Sequence, residues 1–421
     1  MGKVQSIVAR EVLDSRGNPT VETDVTLVGG FTGRFMVPSG ASTGAYEAVE
    51  LRDGGKRFLG AGVLGAVKSV NKNIRTALVG KYIVSQRTLD DHLIKLDGTK
   101  NKSRLGANAL LSVSIAFARA LAEKKKQQLS IYINSLLSNK KMCLPVPFSN
   151  LINGGRHAGT RLKFQEFMIA PYGAKSFAQA TQMTSEIYHS LKIKIGLKYG
   201  KNATNVGDEG GFTPDISRPE EALTLLDETI DSLGYAGKVG LAIDAAASEF
   251  FVKGKYVLDK KFSSQELVDY YANLIKSFNL ISIEDPFDED DFEAFAALTK
   301  KVGHKVQIVG DDLLTTNTER IRKAIKAKAC VALLLKVNQI GTLTEAIDAA
   351  KMAFDAKWNV MVSHRSGETE DSFIADLAVG LGCGQIKLGA PCRGERCVKF
   401  NRLLRLEDEL KGKARYWKKD G

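Results

Sequence analysis

The sequence predicts an α/β barrel for the larger part of this chain, and three observations lead there. Six short apolar runs recur in the second half: VGLAID, LISIED, VQIVGDD, VALLLK, NVMVSH and GQIKLG. Helical patterns separate most of them, as parallel βα units require. Each run carries a polar, mostly ionisable residue at or near its end, namely Asp244, Glu284, Asp311, Lys336, His364 and Lys387. Their successive separations of 40, 27, 25, 28 and 23 residues are close to one βα unit each. So many units in series point to a barrel. On pattern alone, an open doubly wound sheet is the alternative.

The elements justify themselves in chain order. Val21, Thr23, Val25 and Leu27 alternate, and Gly29-Gly30 turns the chain back toward Phe35 and Val37, which predicts a β hairpin. The loop PSGASTGAYE follows. Leu110, Val113, Phe117 and Leu121 then mark one apolar face of a long helix ending in Lys124-Lys125-Lys126. Pro145 and Pro147 make the segment before the repeats read as a connection. The expected division is residues 1–125, a linker at 126–145, and the catalytic unit at 146–421. Among the later helices, Ser263 with Glu266, and Thr342 with Glu345, have the spacing of capping boxes. Leu267, Tyr271, Leu274 and Phe278 line one face of the first.

Composition narrows the function. At 421 residues, two domains are the natural expectation. The opening MGKVQSIVAREVLDSRGNPT has no apolar h-region or cleavage site, so no signal peptide is expected. No apolar run approaches the ~18 residues of a membrane span. An odd count of five cysteines agrees with reduced thiols in a cytoplasm. Cys383, Cys392 and Cys397 fit no common zinc spacing. Sixty Lys and Arg against 48 Asp and Glu give a net charge of +12, which reads first as a solvated lysine-rich surface, with attraction of an anion, from a small phosphate to nucleic acid, as the sharper alternative. Nucleic acid is not expected, because no basic stripe interleaves with aromatics and no helix-turn-helix or RNP-like motif is present.

C-terminal ends of barrel strands open onto one face, so three carboxylates and two lysines should converge there. Buried charge persists when paired or bound to metal. Asp244, Glu284 and Asp311 offer only oxygen ligands, which favours Mg²⁺ or Mn²⁺ over zinc. His92, His189 and His304 fit no catalytic motif. GVLGAV near residue 62 lacks GxGxxG spacing, and Trp358 and Trp417 read as packing groups.

Over essentially its whole length the chain resembles the enolase family. AREVLDSRGNPTVE is similar to the family's N-terminus, PSGASTGAYEA to its first mobile loop and NGGRHAG to its second. QEFMI, GDEGGF, IEDPF, GDD, LLLKVNQIGT, SHRSGETED and IKLGAPCRGER follow in family order. The resemblance implies an enolase-type α/β barrel, opening with two strands and two helices, behind a smaller N-terminal α+β domain. It implies reversible Mg²⁺-dependent dehydration of 2-phosphoglycerate to phosphoenolpyruvate, in glycolysis and gluconeogenesis. Two Mg²⁺ per site are implied, one tight on Asp244, Glu284 and Asp311, the other arriving with substrate and reached by Ser39. Lys336 is the implied general base, and Glu209, with Glu166 beside it, the acid side. His157, Arg365 and Ser366 would meet the phosphate, Lys387 the carboxylate, and His364 would line the substrate site. A homodimer, or a ring of dimers, is implied, with Arg10 and Glu11 near the interface.

These residue types suit the chemistry. Removing the C2 proton beside a carboxylate adds negative charge that cations can stabilise. A lysine base must be neutral to act, and neighbouring cations are expected to lower its pKa. Hydroxide leaves poorly and needs a proton. Leu388, Leu313, Leu314 and Arg156 depart from the family's usual pattern. Two other readings are a racemase or cycloisomerase on the same scaffold, and a binding protein that kept the fold. Arg365-Ser366 and the Ser39 loop argue against the first, and the intact ionisable set against the second.

Overall fold

The predicted hairpin forms between strands Pro19–Leu27 and Phe31–Met36, with Gly29 and Gly30 at positive φ in the turn. In this computed structural model, residues 1–41, 44–137 and 141–418 are described. Ser42 and Thr43 of the first loop motif, and residues 138–140 of the expected linker, lie outside them. Strand Gly2–Leu13 pairs antiparallel with Pro19–Leu27 on one side and with Tyr82–Ile83 on the other, completing a four-stranded sheet. Helix Ala107–Lys124 lies on that sheet. It is buried on nearly every side for its first dozen residues, more than a one-faced helix needs. The close approach has a local cause: a Cβ on Gly33 would fall 2.0 Å from the Ala116 carbonyl oxygen, so only glycine fits there.

All six apolar runs are strands of a closed barrel. Around the ring the order is Leu280–Glu284, Gln307–Gly310, Ala332–Leu335, Asn359–Ser363, Gly384–Lys387, Val146–Asn153, Glu166–Ala170 and Gly240–Asp244. Every neighbouring pair is parallel except those made by Glu166–Ala170, which runs antiparallel to both its neighbours. Helices Phe177–Tyr199 and Pro219–Ser232 fill the gap before the third strand. The barrel therefore opens with two strands and two helices. Because Glu166–Ala170 is reversed, its first residue stands at the mouth where its neighbours end. Register sets Glu166 opposite Asp244, and Asp244 opposite Glu284.

Local signals place the barrel helices. Ser263 and Glu266 make a complete capping box, and Thr342 Oγ1 accepts from the Glu345 amide. The stretch 126–145 includes the helix Leu129–Leu136, where Asn134 Nδ2 donates to the Gly380 carbonyl at 2.9 Å.

The N-terminal sheet is fastened to one mouth loop of the barrel. Ser39 and Gly367 exchange backbone hydrogen bonds of 2.7 and 2.8 Å, and the Ser15 amide donates to Glu368 O at 2.7 Å. Arg119 grips Asp371 with two bonds of 2.6 and 2.7 Å. The loop carrying His364, Arg365 and Ser366 is thus held from the outside by the smaller unit.

Candidate active site

At the mouth, the Lys387 ammonium sits among three carboxylates: Glu284 Oε1 at 2.7 Å, Glu166 Oε2 at 3.0 Å and Asp244 Oδ2 at 3.3 Å. All four residues are buried. Burial opposes the Lys387 charge, but Glu166, Glu284 and Asp244 outweigh it and hold the ammonium well above its ordinary range. Burial, with the Asp244 charge added, pushes the Glu284 carboxyl well up.

Lys336 follows the strand Ala332–Leu335, and its ammonium donates to Asp311. Gln339 Nε2 donates to the other Asp311 oxygen at 3.0 Å. Burial raises the Asp311 carboxyl, and Lys336 and Lys387 overcome that and bring it down. Lys336 differs from the expectation of a lowered base. Burial and the cations Arg365 and Lys387 push it down, but the Asp311 charge outweighs them and its pKa is raised.

Across the mouth, His157 Nδ1 lies 3.5 Å from Glu166 and 3.6 Å from Glu209. Asn150 Nδ2 donates to Glu209 at 3.1 Å, and His364 Nε2 faces the same oxygen at 3.4 Å. Burial, reinforced by the Glu209 charge, raises Glu166 well above the carboxylate range. Burial of Glu209 is outweighed by His364, His157 and Arg396, which hold it low. Of the two, Glu166 is the one whose surroundings disfavour the charged form. Burial keeps His157 below its ordinary value and His364 down at about 4.

Arg365 Nη1 and Nη2 donate to Glu47 at 3.1 and 3.2 Å, and Nη1 also reaches Asn338 Oδ1 at 3.0 Å. Ser366 Oγ accepts from the Ala41 amide at 2.7 Å. Ser39 is buried, with its hydroxyl donating to Glu50 at 3.0 Å and accepting from Arg52 at 3.0 Å. It stands beside the mouth through its bridge to Gly367, with its hydroxyl engaged away from Asp244, Glu284 and Asp311. A small cavity of about 20 Å³ is lined by Glu166, Glu209, Lys336, His364, Arg365 and Lys387, among others. The structure thus gathers the expected set, with Ser39 at its edge.

The decisive observation comes from known proteins. Residues 141–420 match the family described as enolase, C-terminal TIM barrel domain, and residues 4–133 match enolase, N-terminal domain. The chain belongs to the enolase family. An enolase of Methanocaldococcus jannaschii is 56% identical over 415 residues, covering 98% of this chain and 97% of that one. An enolase of Solanum lycopersicum is 54% identical over 432 residues, covering 99% and 97%. Enolase 2 of Hevea brasiliensis is 54% identical over 429 residues, covering 98% and 96%. The activity is enolase activity, that of a lyase on a small phosphorylated substrate, and enolases use magnesium. Among the described residues no helix is long and apolar enough to cross a membrane.

The donor chemistry fits a hard cation. Asp244 and Glu284 already share one positive nitrogen and stand opposite each other in register on neighbouring strands. Asp311 turns toward Lys336 instead. Another close oxygen group, Asp285 with Asp311 and Asp312, is less free. Asp285 is committed to backbone, accepting from the Asp311 and Asp312 amides at 2.9 and 2.7 Å.

Three residues of this enolase site were not singled out from sequence. Gln165 Nε2 reaches Asp244 at 3.3 Å, Glu47 holds Arg365, and Arg396 contacts His364. Each lies inside a family motif, QEFMI, PSGASTGAYEA or IKLGAPCRGER, and that was its signal. The departures are accommodated: Leu313, Leu314 and Leu388 are fully buried, and Arg156 pairs with Glu249 at 2.8 Å. His92, His189 and His304 are exposed.

Proposed function

We propose that this chain dehydrates 2-phosphoglycerate reversibly to phosphoenolpyruvate, with Lys336 as general base and Glu209, paired with Glu166, on the acid side. One observation carries the reading. The strands bearing Lys336 and Glu166 stand four places apart in a ring of eight, so the two groups face each other across the mouth. A substrate between them turns its C2 hydrogen to one side and its C3 hydroxyl to the other.

Asp244, Glu284 and Asp311 would hold one magnesium ion and Ser39 would reach a second, and the ions would supply positive charge where negative charge develops beside the substrate carboxylate. Lys387 adds a fixed ammonium at the same place. Lys336 takes the C2 proton. Its own proton is held chiefly by Asp311, so the base is armed only when that carboxylate has another partner. Glu209, with Glu166 beside it, delivers a proton to the departing hydroxide. Arg365 exchanges Glu47 for the phosphate, a swap of one anion for another that suits its planar fork. Ser366 and His157 complete the phosphate contacts, and His364 lines the acid side.

We read residues 1–125 as the capping unit and 146–421 as the catalytic unit, in a cytoplasmic homodimer or ring of dimers. Arg10, which pairs with Glu22 and Asp24, and Glu11, which pairs with Arg57, lie at the intended interface.

The test is C2 hydrogen exchange of 2-phosphoglycerate in heavy water, followed by NMR. Lys336→Ala should lose both product formation and exchange. Glu209→Gln should lose product formation by about 10² to 10⁴-fold and keep exchange. Wild-type exchange in Lys336→Ala removes Lys336 as base. Excess chelator should abolish turnover and Mg²⁺ restore it, and restoration by Zn²⁺ alone would rule out the oxygen-only assignment.

A further inference from the structure

Arg396 lies in the first turn of helix Gly394–Leu410, with none of its surface exposed. An arginine on a helix that also carries Glu407, Asp408 and Glu409 would ordinarily face water. Here its two terminal nitrogens make four bonds to separate parts of the site. Nη1 donates to His364 Nδ1 at 2.7 Å and to the Arg365 carbonyl at 2.5 Å. Nη2 donates to the Ser366 carbonyl at 2.6 Å and to the carbonyl of Asp208, the residue before Glu209, at 3.0 Å.

A guanidinium keeps its protons and has no acceptor atom. His364 Nδ1 must therefore accept, and a neutral ring must then carry its hydrogen on Nε2. That nitrogen is buried, has no hydrogen-bond partner among the described residues, and faces Glu209 Oε2 at 3.4 Å. The opposite ring orientation would turn carbon toward Arg396.

We infer that Arg396 is a positioning residue that fixes His364 as the Nε2–H tautomer, so that an N–H donor is aimed at Glu209 and the substrate cavity. The inference rests on the reading of Glu209 as the acid-side carboxyl. An N–H held there stabilises the carboxylate left when Glu209 has given its proton to the leaving hydroxide, and an Nδ1–H ring would present a lone pair instead. The charged groups around the ring are Glu209 from its loop, Arg396 from the helix, and Glu368 on the segment after His364. Burial first, and then Arg396, keep the ring neutral, while Glu209 and Glu368 pull the other way. Lys399, one helical turn beyond Arg396, holds Glu368 at 2.7 Å and the Thr369 carbonyl at 2.6 Å. One helix face thus anchors the whole segment.

The experiment is ring ¹⁵N NMR on histidine-labelled protein. There are five histidines, and subtraction of a His364→Gln spectrum assigns the signal. Wild type should show the Nε2–H tautomer unchanged from about pH 5.5 to 8. Arg396→Met should lose that tautomer, let the ring titrate closer to its ordinary value, and lower kcat about 10- to 100-fold with KM little changed. Arg396→Lys keeps a donor for Nδ1 but not the fork. It should restore the tautomer and part of kcat, and it covers the case in which Arg396→Met does not fold. An Nδ1–H ring in wild type, or an unchanged tautomer and pH profile in folded Arg396→Met, would overturn the inference. A lost tautomer with intact kcat would overturn the positioning role. Failure of the base and acid assignments shows instead in C2 exchange, which this measurement does not touch.

Discussion

The two ends of the barrel are made by the same strands and treat polar groups in opposite ways. At the catalytic mouth, Lys387 and five carboxyl groups are packed out of water, and Lys336 is half-buried beside them. His157 Nδ1, His364 Nε2, Gln165 Oε1 and both side-chain polar atoms of Asn153 have no hydrogen-bond partner there among the described residues. At the far end, neutral amides close on one another. Gln307 and Gln385 exchange bonds of 2.9 and 3.1 Å, and Asn359 Nδ2 donates to Gln307 at 2.6 Å. The larger cavity, about 480 Å³, is at the satisfied end, and the small one is at the charged end. Volume therefore does not mark the site. What marks it is polarity that folding alone would not keep, since buried groups left short of partners oppose stability. The mouth is arranged for a ligand, and the far end for the fold.

Breaking the charged end should have the largest effect. Lys387→Met leaves Glu166, Asp244 and Glu284 without their shared ammonium. Removing one partner of a buried ionic group typically costs about 3–5 kcal/mol. Denaturant unfolding at neutral pH in chelator should show a loss of that size, with Mg²⁺ recovering more stability in the variant than in wild type. At the far end, Gln307→Leu strands the buried Gln385 amide, while the exposed Asn359 turns to water, at a cost of about 1–3 kcal/mol, with kcat unchanged. A larger loss for Gln307→Leu than for Lys387→Met would reverse the comparison.

Acid should separate the ends next. His364 holds at about 4 against an ordinary 6.5. The unfolded chain therefore binds more protons than the native one between those values. The resulting stability is full above about 6.5 and is lost as pH falls toward about 4. His364→Gln should flatten the stability-versus-pH slope in that window, while Gln307→Leu should leave it as in wild type. Equal slopes in His364→Gln and wild type would mean that the ring is not held neutral by its surroundings.

The same contrast explains what could be read from sequence. Six strands were legible because an ionisable residue ending an apolar run is conspicuous, and its recurrence at one βα spacing more so. The strand Val146–Asn153 was not legible by pattern, because Pro145 and Pro147 read as a connection. The helix Leu129–Leu136 is too short to assert a period in that same stretch. Glu209 and His157 come from loops with no periodicity, so only their motifs carried them. Arg396 was passed over because a charged residue on a helix ordinarily faces water. Its burial depends on His364, Arg365, Ser366 and Asp208, which are distant in sequence. The raised Lys336 has the same origin: the sequence places cations near it but not the Asp311 contact that outweighs them.

The smallest effect sharpens the comparison within the mouth itself. Arg156 pairs with Glu249 at 2.8 Å on the rim, with 54% and 33% of their side chains exposed. An exposed pair of this kind contributes about 0–1 kcal/mol, because water solvates both partners when it opens. Arg156→Ala should therefore leave unfolding almost unchanged, although the residue adjoins His157, which lines the same cavity as Lys387. Its effect should appear in binding. Arg156 immediately precedes His157, and Glu249 lies in the turn after the strand ending at Asp244, so the pair ties the His157 loop to a neighbouring strand end. Loosening that tie widens the range of loop positions that substrate must narrow, and KM should rise by about two- to fivefold while kcat holds. About 0.5 M salt should raise the wild-type KM more than that of the variant, because screening weakens an exposed pair and there is no pair left to weaken in Arg156→Ala. A stability loss matching that of Lys387→Met would show that proximity to the site, rather than burial, sets the energetic weight of a charge at this mouth.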